Sequence, residues 1–529
     1  MNPNFFGTFG ARSRLSVALG AALFASVGFM VPQADAATTA LTAAAQTPAV
    51  MANLSLGIGL TAHAVVPTGQ TASIQSLTTT GTHGSVVKAN ATAVTYTPGS
   101  YYASLAKGAT ATDKFSYCLT DGAGASSCST VTVTIFGAAT AATTTPTSPT
   151  TPTTTAAYSC VRNWYVAQNG SDSAAGTSAA TPWATIQHAN GSGLLKAGDC
   201  VNIANGTYYL SSTAYLTAGG NANSATGYVV YRSTNSKGAT FKPSAAMYDM
   251  INVQANYVII DGLTVDGGNE GLVSNPMTTG HCIEGDGHHF QALNNLIHDC
   301  GGAAISTVYK DWYWIEGNTV YNNAFFNGYH TSGITIYEPR AVSYTATAAD
   351  TSATYHIIVE NNVSYDNGEK YVSTAHTDGN GIIMDDFQNS QSGNAAYPYK
   401  SLVQGNTSFG NGGRGIHLFY TNNVTVTGNV AYGNNQDTAL NGSWRGELSN
   451  AEGSNNTWTN NQAAATSVPT DIRMYNTAVL DGHVSAATTG VTWSGNANVD
   501  TRTGGKSYSI DNATRAAAFP AANPLGKGL

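Results

Sequence analysis

Short runs in which apolar and polar residues alternate recur along the chain. The clearest are Gly333-Ile334-Thr335-Ile336-Tyr337, Gly381-Ile382-Ile383-Met384-Asp385 and Gly415-Ile416-His417-Leu418-Phe419. Period two predicts strands with one buried face. It sends Ile334/Ile336, Ile382/Met384 and Ile416/Leu418 inward, and Thr335/Tyr337, Ile383/Asp385 and His417/Phe419 outward. A second pattern runs apolar-x-x-Asn, then an aromatic three residues later, then often another Asn. Its members are Ile315/Asn318/Tyr321/Asn323, Val359/Asn362/Tyr365/Asn367, Val403/Asn406/Phe409/Asn411 and Val426/Asn429/Tyr432/Asn434, with weaker copies at Asn295 and Asn461. From Asn295 the anchoring asparagines are 23, 44, 44, 23 and 32 residues apart. Units of this size built from short strands read as coils of a solenoid, each burying its apolar face against the next. Equivalent turn asparagines are then expected to stack as a ladder. The two 44-residue repeats carry extra loops, about Pro339 to Tyr355 and Phe387 to Lys400, on the same side. They wall the outward column, and long loops on a rigid scaffold are where function concentrates.

The pattern breaks in two other places. Arg12 and Arg14 precede an apolar run from Leu15 to Val31, and Ala34-Asp35-Ala36 offers a small-x-small cleavage site. Residues 1–36 therefore read as a signal peptide, with no membrane span after its removal and a secreted or cell-surface location. Residues 138–157 contain only Ala, Thr, Ser and Pro. Such a stretch cannot form a core and reads as a linker between a module at 37–137 and a larger one at 158–529.

Composition narrows the partners. Against 21 Lys+Arg stand 29 Asp+Glu, a net charge of −8, which argues against nucleic acid as a partner. The six cysteines fit three disulfides in an exported chain, most simply paired in sequence order: Cys118 with Cys128, Cys160 with Cys200 and Cys282 with Cys300.

Two segments carry family resemblances. Tyr96-Thr97-Pro98, Asp113-Lys114-Phe115-Ser116-Tyr117, Asp121-Gly122 and the strand Val131-Thr132-Val133-Thr134-Ile135 resemble the bacterial cadherin-like or immunoglobulin-like repeats, which implies a β-sandwich spacer or adhesive module. Tyr165-Val166-Ala167-Gln168-Asn169-Gly170-Ser171-Asp172, Thr181-Pro182-Trp183-Ala184-Thr185-Ile186, Ala197-Gly198-Asp199 and Asn205-Gly206-Thr207-Tyr208 resemble the opening of the pectate-lyase superfamily, notably family 9 pectate lyases. The resemblance implies an all-β chain with a right-handed parallel β-helix over about residues 160 to 500. It also implies a polysaccharide partner, and the chain is expected to be a monomer. One scaffold hosts many chemistries, so activity has to be read from the site.

Family 9 lyases bind calcium through an aspartate near an Asp-Gly turn and an acidic segment one rung later, and use a lysine as base. Asp378 matches the first aspartate, but the next rung here reads Gly413-Arg414-Gly415-Ile416-His417, and no lysine follows. The family's site therefore does not carry over whole. In its place the expected groove collects Asp378, Asp385 and Asp386 as oxygen ligands for a Ca²⁺ ion, the candidate cofactor. The expected catalytic set is His417, Arg414, Asp385, Asp386, Arg445 and Glu447, flanked by Glu338, His376, Tyr337, Phe419 and Trp444 as substrate contacts. Three functions remain open on these residues. They are β-elimination of a uronide, with Arg414 or Ca²⁺ neutralising the carboxylate and His417 as base; hydrolysis by paired carboxylates; or glycan binding without turnover.

Overall fold

The computed structural model describes residues 40–46, 49–52, 56–61, 64–67, 69–105, 110–136, 158–222, 226–269, 279–325, 331–342, 350, 353–369, 376–437, 446–465, 477–482, 490–500 and 506–510. The expected signal peptide and linker, together with Trp444 and Arg445, lie outside them. Among the described residues no helix is long and apolar enough to cross a membrane.

The N-terminal module has a four-stranded and a three-stranded sheet. Its central hairpin pairs Thr110–Thr120 with Ser126–Phe136 and sets Cys118 directly opposite Cys128, which form a disulfide. Alternation buries Val131, Val133 and Ile135 against Tyr96, Phe115, Tyr117 and Leu119. Asp113 is buried beside this core because it is fully used. Its carboxylate accepts from the backbone N–H of His83, Gly84 and Lys114 and from the Tyr96 hydroxyl. These bonds lower its pKa despite burial.

From Arg162 onward the chain winds through three long sheets in turn, and each strand pairs in parallel with the equivalent strand of the next coil. This is a parallel β-helix. An antiparallel pairing of Asn496–Asp500 with Lys506–Ile510 follows the last described coil. The Cys160–Cys200 and Cys282–Cys300 disulfides form as sequence order predicts.

One sheet bears on function, and its strands are numbered here: β1 (Ala214–Leu216), β2 (Met247–Val253), β3 (Thr279–Gly285), β4 (Ile305–Val308), β5 (Ile334–Tyr337), β6 (Ile382–Asp385), β7 (Ile416–Phe419), β8 (Gly446–Ala451) and β9 (Thr477–Gly482). Register is continuous across it. Ile251, Ile283, Ile305, Ile334, Ile382, Ile416 and Leu448 are successive partners and form an inward column with no exposed surface. Close packing beneath this sheet explains the glycines that open β6 and β7. A Cβ on Gly381 would lie 1.9 Å from Ser408 Oγ, and one on Gly415 would lie 2.6 Å from Asn434 Nδ2.

Two asparagine ladders run along the helix. In the first, Asn295, Asn318, Asn362, Asn406, Asn429, Asn461 and Asn496 are linked in order, each Nδ2 donating to the Oδ1 of the next at 2.8–3.0 Å. The same Oδ1 also accepts the preceding asparagine's backbone N–H. The second ladder links Asn323, Asn367, Asn411 and Asn434. Between them the repeat's aromatics Tyr321, Tyr365, Phe409 and Tyr432 stack with centroids 4.9–5.1 Å apart.

Asn406→Ala removes the acceptor of two Asn362 donors and the Nδ2 group that donates to Asn429 Oδ1 and to the Val359 carbonyl, while the backbone N–H of residue 406 is kept. Buried polar groups left unmade cost about 1–3 kcal/mol each, so the variant should lose roughly 2–4 kcal/mol of unfolding free energy in chemical denaturation of the β-helix. A loss below about 0.5 kcal/mol would mean that water replaces the amide and that the ladder contributes little.

Candidate active-site cleft

The outward face of β2 to β7 forms a cleft of about 820 Å³. Its floor follows from register. Asn252, Glu284, Ser306, Thr335, Ile383 and His417 are successive partners in one column, and Val308, Tyr337, Asp385 and Phe419 are partners in the next. Thr331, Thr377 and Asp378, which precede β5 and β6, and Gln391 of the expanded loop after β6 also line it.

At the β6–β7 end the cleft holds the expected Asp378, Asp385, Arg414, His417, Tyr337 and Phe419. Arg414 is 3% exposed, its backbone N–H donates to Asn380 Oδ1, and its guanidinium donates to the Thr377 carbonyl. His417 is also 3% exposed, and its Nδ1 lies 3.1 Å from Ser449 Oγ. Burial, reinforced by the nearby Arg414 charge, holds the imidazole well below its ordinary pKa. It is therefore neutral around pH 7. Asp385 moves the opposite way. Burial first, then the charges of Asp378, Asp386 and Glu338, push its carboxyl well above the usual range, and its Oδ1 has no hydrogen-bond partner. Asp378 accepts from Thr377 Oγ1 and Asn380 Nδ2, which fixes it at the rim.

Other expected residues are placed elsewhere. Asp385 lines the cleft, whereas Asp386, the residue just past β6, does not. The chain turns through the left-handed region at the residue after β5, β6 and β7, with φ of 40° at Glu338, 50° at Asp386 and 46° at Tyr420. Asp386 is fully buried, and its carboxylate caps the following loop by accepting from Ser390 N, Ser390 Oγ and Gln391 N. The three-carboxylate calcium set is thus not assembled, although Asp378 and Asp385 both reach the cleft. Glu338 is buried under the Tyr337 hydroxyl and Arg340, at 3.0 and 2.7 Å. Glu447 ends the second ladder, accepting from the backbone N–H and side-chain amide of Asn434. His376 pairs through Nδ1 with Asp437 Oδ2 at 2.6 Å.

At the β2–β3 end the cleft contains residues that the repeat scan did not reach: Tyr248, Asp249, Asn252, His281, Glu284 and Asp286. They precede Asn295, the first recognisable repeat asparagine. Extending the column back from Thr335 through Ser306 would have reached Glu284. Asp249 would have escaped, because the strict alternation of β2 breaks there and Asp249, Met250 and Ile251 are all buried. Buried oxygens without hydrogen-bond partners are notably frequent along the cleft, at Asp249 Oδ1, Asn252 Oδ1, Glu284 Oε2, Thr331 Oγ1 and Asp385 Oδ1.

Comparison with known proteins bears on the two modules separately. Residues 34–134 match the family model described as a bacterial Ig domain. No curated protein matches the chain in sequence. Among solved structures the chain is similar to pectate lyase Pel9A, with 16% identity over 59% of this chain and 65% of that one at a TM-score of 0.35. It is also similar to a GH136 lacto-N-biosidase from Eubacterium ramulus, with 11% identity over 64% of each chain at 0.36. A third is the A-module of the mannuronan C-5 epimerase AlgE6 from Azotobacter vinelandii, with 14% identity over 59% of this chain and 87% of that one at 0.33. The match spans less than two thirds of the pectate lyase's length. The chain thus joins a module similar to a bacterial Ig domain to a parallel β-helix defined by its own strand pairing.

Proposed function

We propose that the chain is an exported enzyme that cleaves an acidic polysaccharide by β-elimination in the cleft on β2 to β7. The observation that carries this reading is the placement of Arg414 and His417 together, both buried yet lining the cleft, a fixed cation beside a neutral imidazole. Elimination needs the uronate carboxylate neutralised so that the adjacent carbon can lose its proton, and Arg414 supplies that charge. His417 accepts the proton with a ring-nitrogen lone pair. The carbon–carbon double bond forms as the glycosidic C–O bond breaks, and the departing oxygen takes a proton from Asp385, which burial keeps protonated. Asp385 and His417 then return to their starting states by proton exchange with water.

Placement supports these roles. Asp385 lies one strand back from His417 and two residues further along, a Cα separation of about 8 Å, which leaves room for a sugar ring between acid and base. The unpartnered oxygens along the cleft are acceptors, which suits a ligand rich in hydroxyl donors. Tyr248 and Tyr309, 47% and 41% exposed, offer ring faces for sugars toward the β2 end.

The test is a panel of acidic and neutral polysaccharides incubated with the purified chain, following the ultraviolet absorbance of unsaturated uronides alongside new reducing ends. Absorbance that rises with reducing ends is expected. Reducing ends alone would replace elimination with hydrolysis, and binding without either product would make the cleft a glycan receptor.

His417→Gln should lower kcat/KM by about 10²–10⁴-fold, the usual contribution of a general base, with the unfolding midpoint close to the parent's. Full activity in that variant would remove His417 from the mechanism.

The pH profile gives a separate check. A base whose pKa is held below the ordinary histidine value stays unprotonated further into acid, so the acid limb of kcat/KM should fall below the usual imidazole range. Arg414→Gln removes the charge that helps hold it down, and any residual activity should show that limb shifted upward. An acid limb unmoved by this substitution would mean that another group is titrating.

A further inference from the structure

The β2–β3 end of the cleft has its own chemistry, independent of the elimination reading. Asp249, His281 and Glu284 each offer a ligand atom, and the three atoms lie within 4.8 Å of one another. All three residues line the cleft, and they are only 7%, 5% and 7% exposed. Two of the carboxylate oxygens, Asp249 Oδ1 and Glu284 Oε2, are buried with no hydrogen-bond partner. Asn252 donates to the other Asp249 oxygen at 2.9 Å, and Ser306 hydrogen-bonds the Glu284 carboxyl. The charges acting on the pair are carboxylates: Asp286 on both, and Asp249 on Glu284. Two buried acids under mutual repulsion with open oxygens are what a bound cation would relieve.

A contrasting cluster shows what satisfied groups look like. Asp266, His298 and Asp299 also lie within 4.8 Å of one another. There, Lys242 Nζ sits 2.7 Å from Asp266 Oδ2, His298 Nδ1 sits 2.6 Å from Asp299 Oδ2, and Asn322 donates to Asp299. That cluster already holds a cation and internal hydrogen bonds.

We propose that Asp249, His281 and Glu284 form a binding site for a divalent transition-metal ion of the Zn²⁺ or Mn²⁺ class at the β2–β3 end of the cleft. One imidazole nitrogen and two carboxylate oxygens suit borderline ions better than calcium, which prefers oxygen alone. Three protein ligands also leave at least one position open toward the cleft. Tetrahedral bonds of about 2.0–2.1 Å place ligand atoms roughly 3.3 Å apart, inside the 4.8 Å within which these atoms lie. The His281 ring has both nitrogens engaged: Ala303 N–H donates to Nδ1 at 3.1 Å, and Nε2 lies 3.4 Å from the Tyr248 hydroxyl. Coordination exchanges one of these contacts for the metal. Glu284 is four strand steps from His417 along one column, about 19 Å at 4.8 Å per strand. An ion there sits several sugar units from the elimination centre, where it would hold a carboxylate or hydroxyl pair of the same polymer.

The test uses the whole chain, stripped with chelator, exchanged into metal-free buffer and titrated with Zn²⁺, Mn²⁺ and Ca²⁺ by calorimetry, with bound metal counted by elemental analysis. One equivalent of Zn²⁺ or Mn²⁺ is expected, bound more tightly than Ca²⁺. Glu284→Gln and Asp249→Asn should each weaken it by more than about tenfold, while His417→Gln keeps the stoichiometry. His281→Gln should narrow the preference over Ca²⁺. Should a carboxylate variant fail to fold, the ultraviolet-visible spectrum of the Co²⁺-loaded parent decides instead, since inner-sphere nitrogen and oxygen ligation shifts its bands from those of the aqueous ion. Absence of stoichiometric binding, or binding unchanged in folded Glu284→Gln, overturns the site. So does release of reducing ends by the metal-free chain that Glu284→Gln abolishes, which would make the carboxylate pair an acid and base for hydrolysis.

Discussion

Everything downstream rests on the requirement that each coil's turn amides find partners inside the structure. A coil whose asparagine side chain accepts and donates along the helix axis cannot slip against its neighbour without stranding several buried groups at once. The first ladder imposes this across seven positions whatever length of chain separates them, from 23 residues between Asn295 and Asn318 to 44 between Asn318 and Asn362. Register is therefore fixed at the turn, and the loops between turns are free to differ. That is how two adjacent coils carry long insertions while their strands stay paired residue for residue with the compact coil that follows.

Fixed register converts sequence position into spatial order along the cleft. Its β2–β3 end is lined by Tyr248, Asp249, Asn252, His281, Glu284 and Asp286, whereas Arg414 and His417 stand at the far end beside Asp378 and Asp385. Between them, Ser306, Thr335 and Ile383 carry no charge. A polymer lying along the column would meet carboxyl groups at both ends and the Arg414 guanidinium at only one. Such asymmetry gives an extended ligand one preferred direction, and a bound divalent cation would offset much of the negative charge at the β2–β3 end.

The solenoid was legible in the sequence because its signals are local and repeated. The asparagine anchors, the aromatic three residues on and the strand alternation each predict a column, and the columns form. Asn496 is the seventh rung of the first ladder, but Val499 stands where Tyr321, Tyr365, Phe409 and Tyr432 follow the clear repeat asparagines, so the accepting contact to Asn461 is what reveals it. Asp378, Asp385, Arg414 and His417 were legible because they sit in or beside strands whose inward partners are unmistakable. Asp386 and Glu447 misled for a shared reason: a carboxylate in a polar-looking segment was counted as chemistry when its oxygens cap backbone or amide donors. Asp385 ends its strand facing the cleft, and Asp386 turns away from it in a left-handed conformation. Nothing local separates Glu447 from a catalytic acid, since the donors it serves belong to Asn434 on the preceding coil.

Buried, under-satisfied polar atoms are costly, and a fold tolerates few of them unless the surrounding structure holds them in place. Here five line one cleft, at Asp249, Asn252, Thr331, Glu284 and Asp385. The parallel sheet can hold them because its own backbone bonds are complete within the ladder of strands and its inward face is filled with isoleucine and leucine. Stability comes from the buried side of each strand, which leaves the outward side free to keep carboxyls protonated and an imidazole neutral. That division of labour between the two faces of one strand lets a repeat that stacks through its inward residues carry acids, an arginine and an imidazole along one cleft.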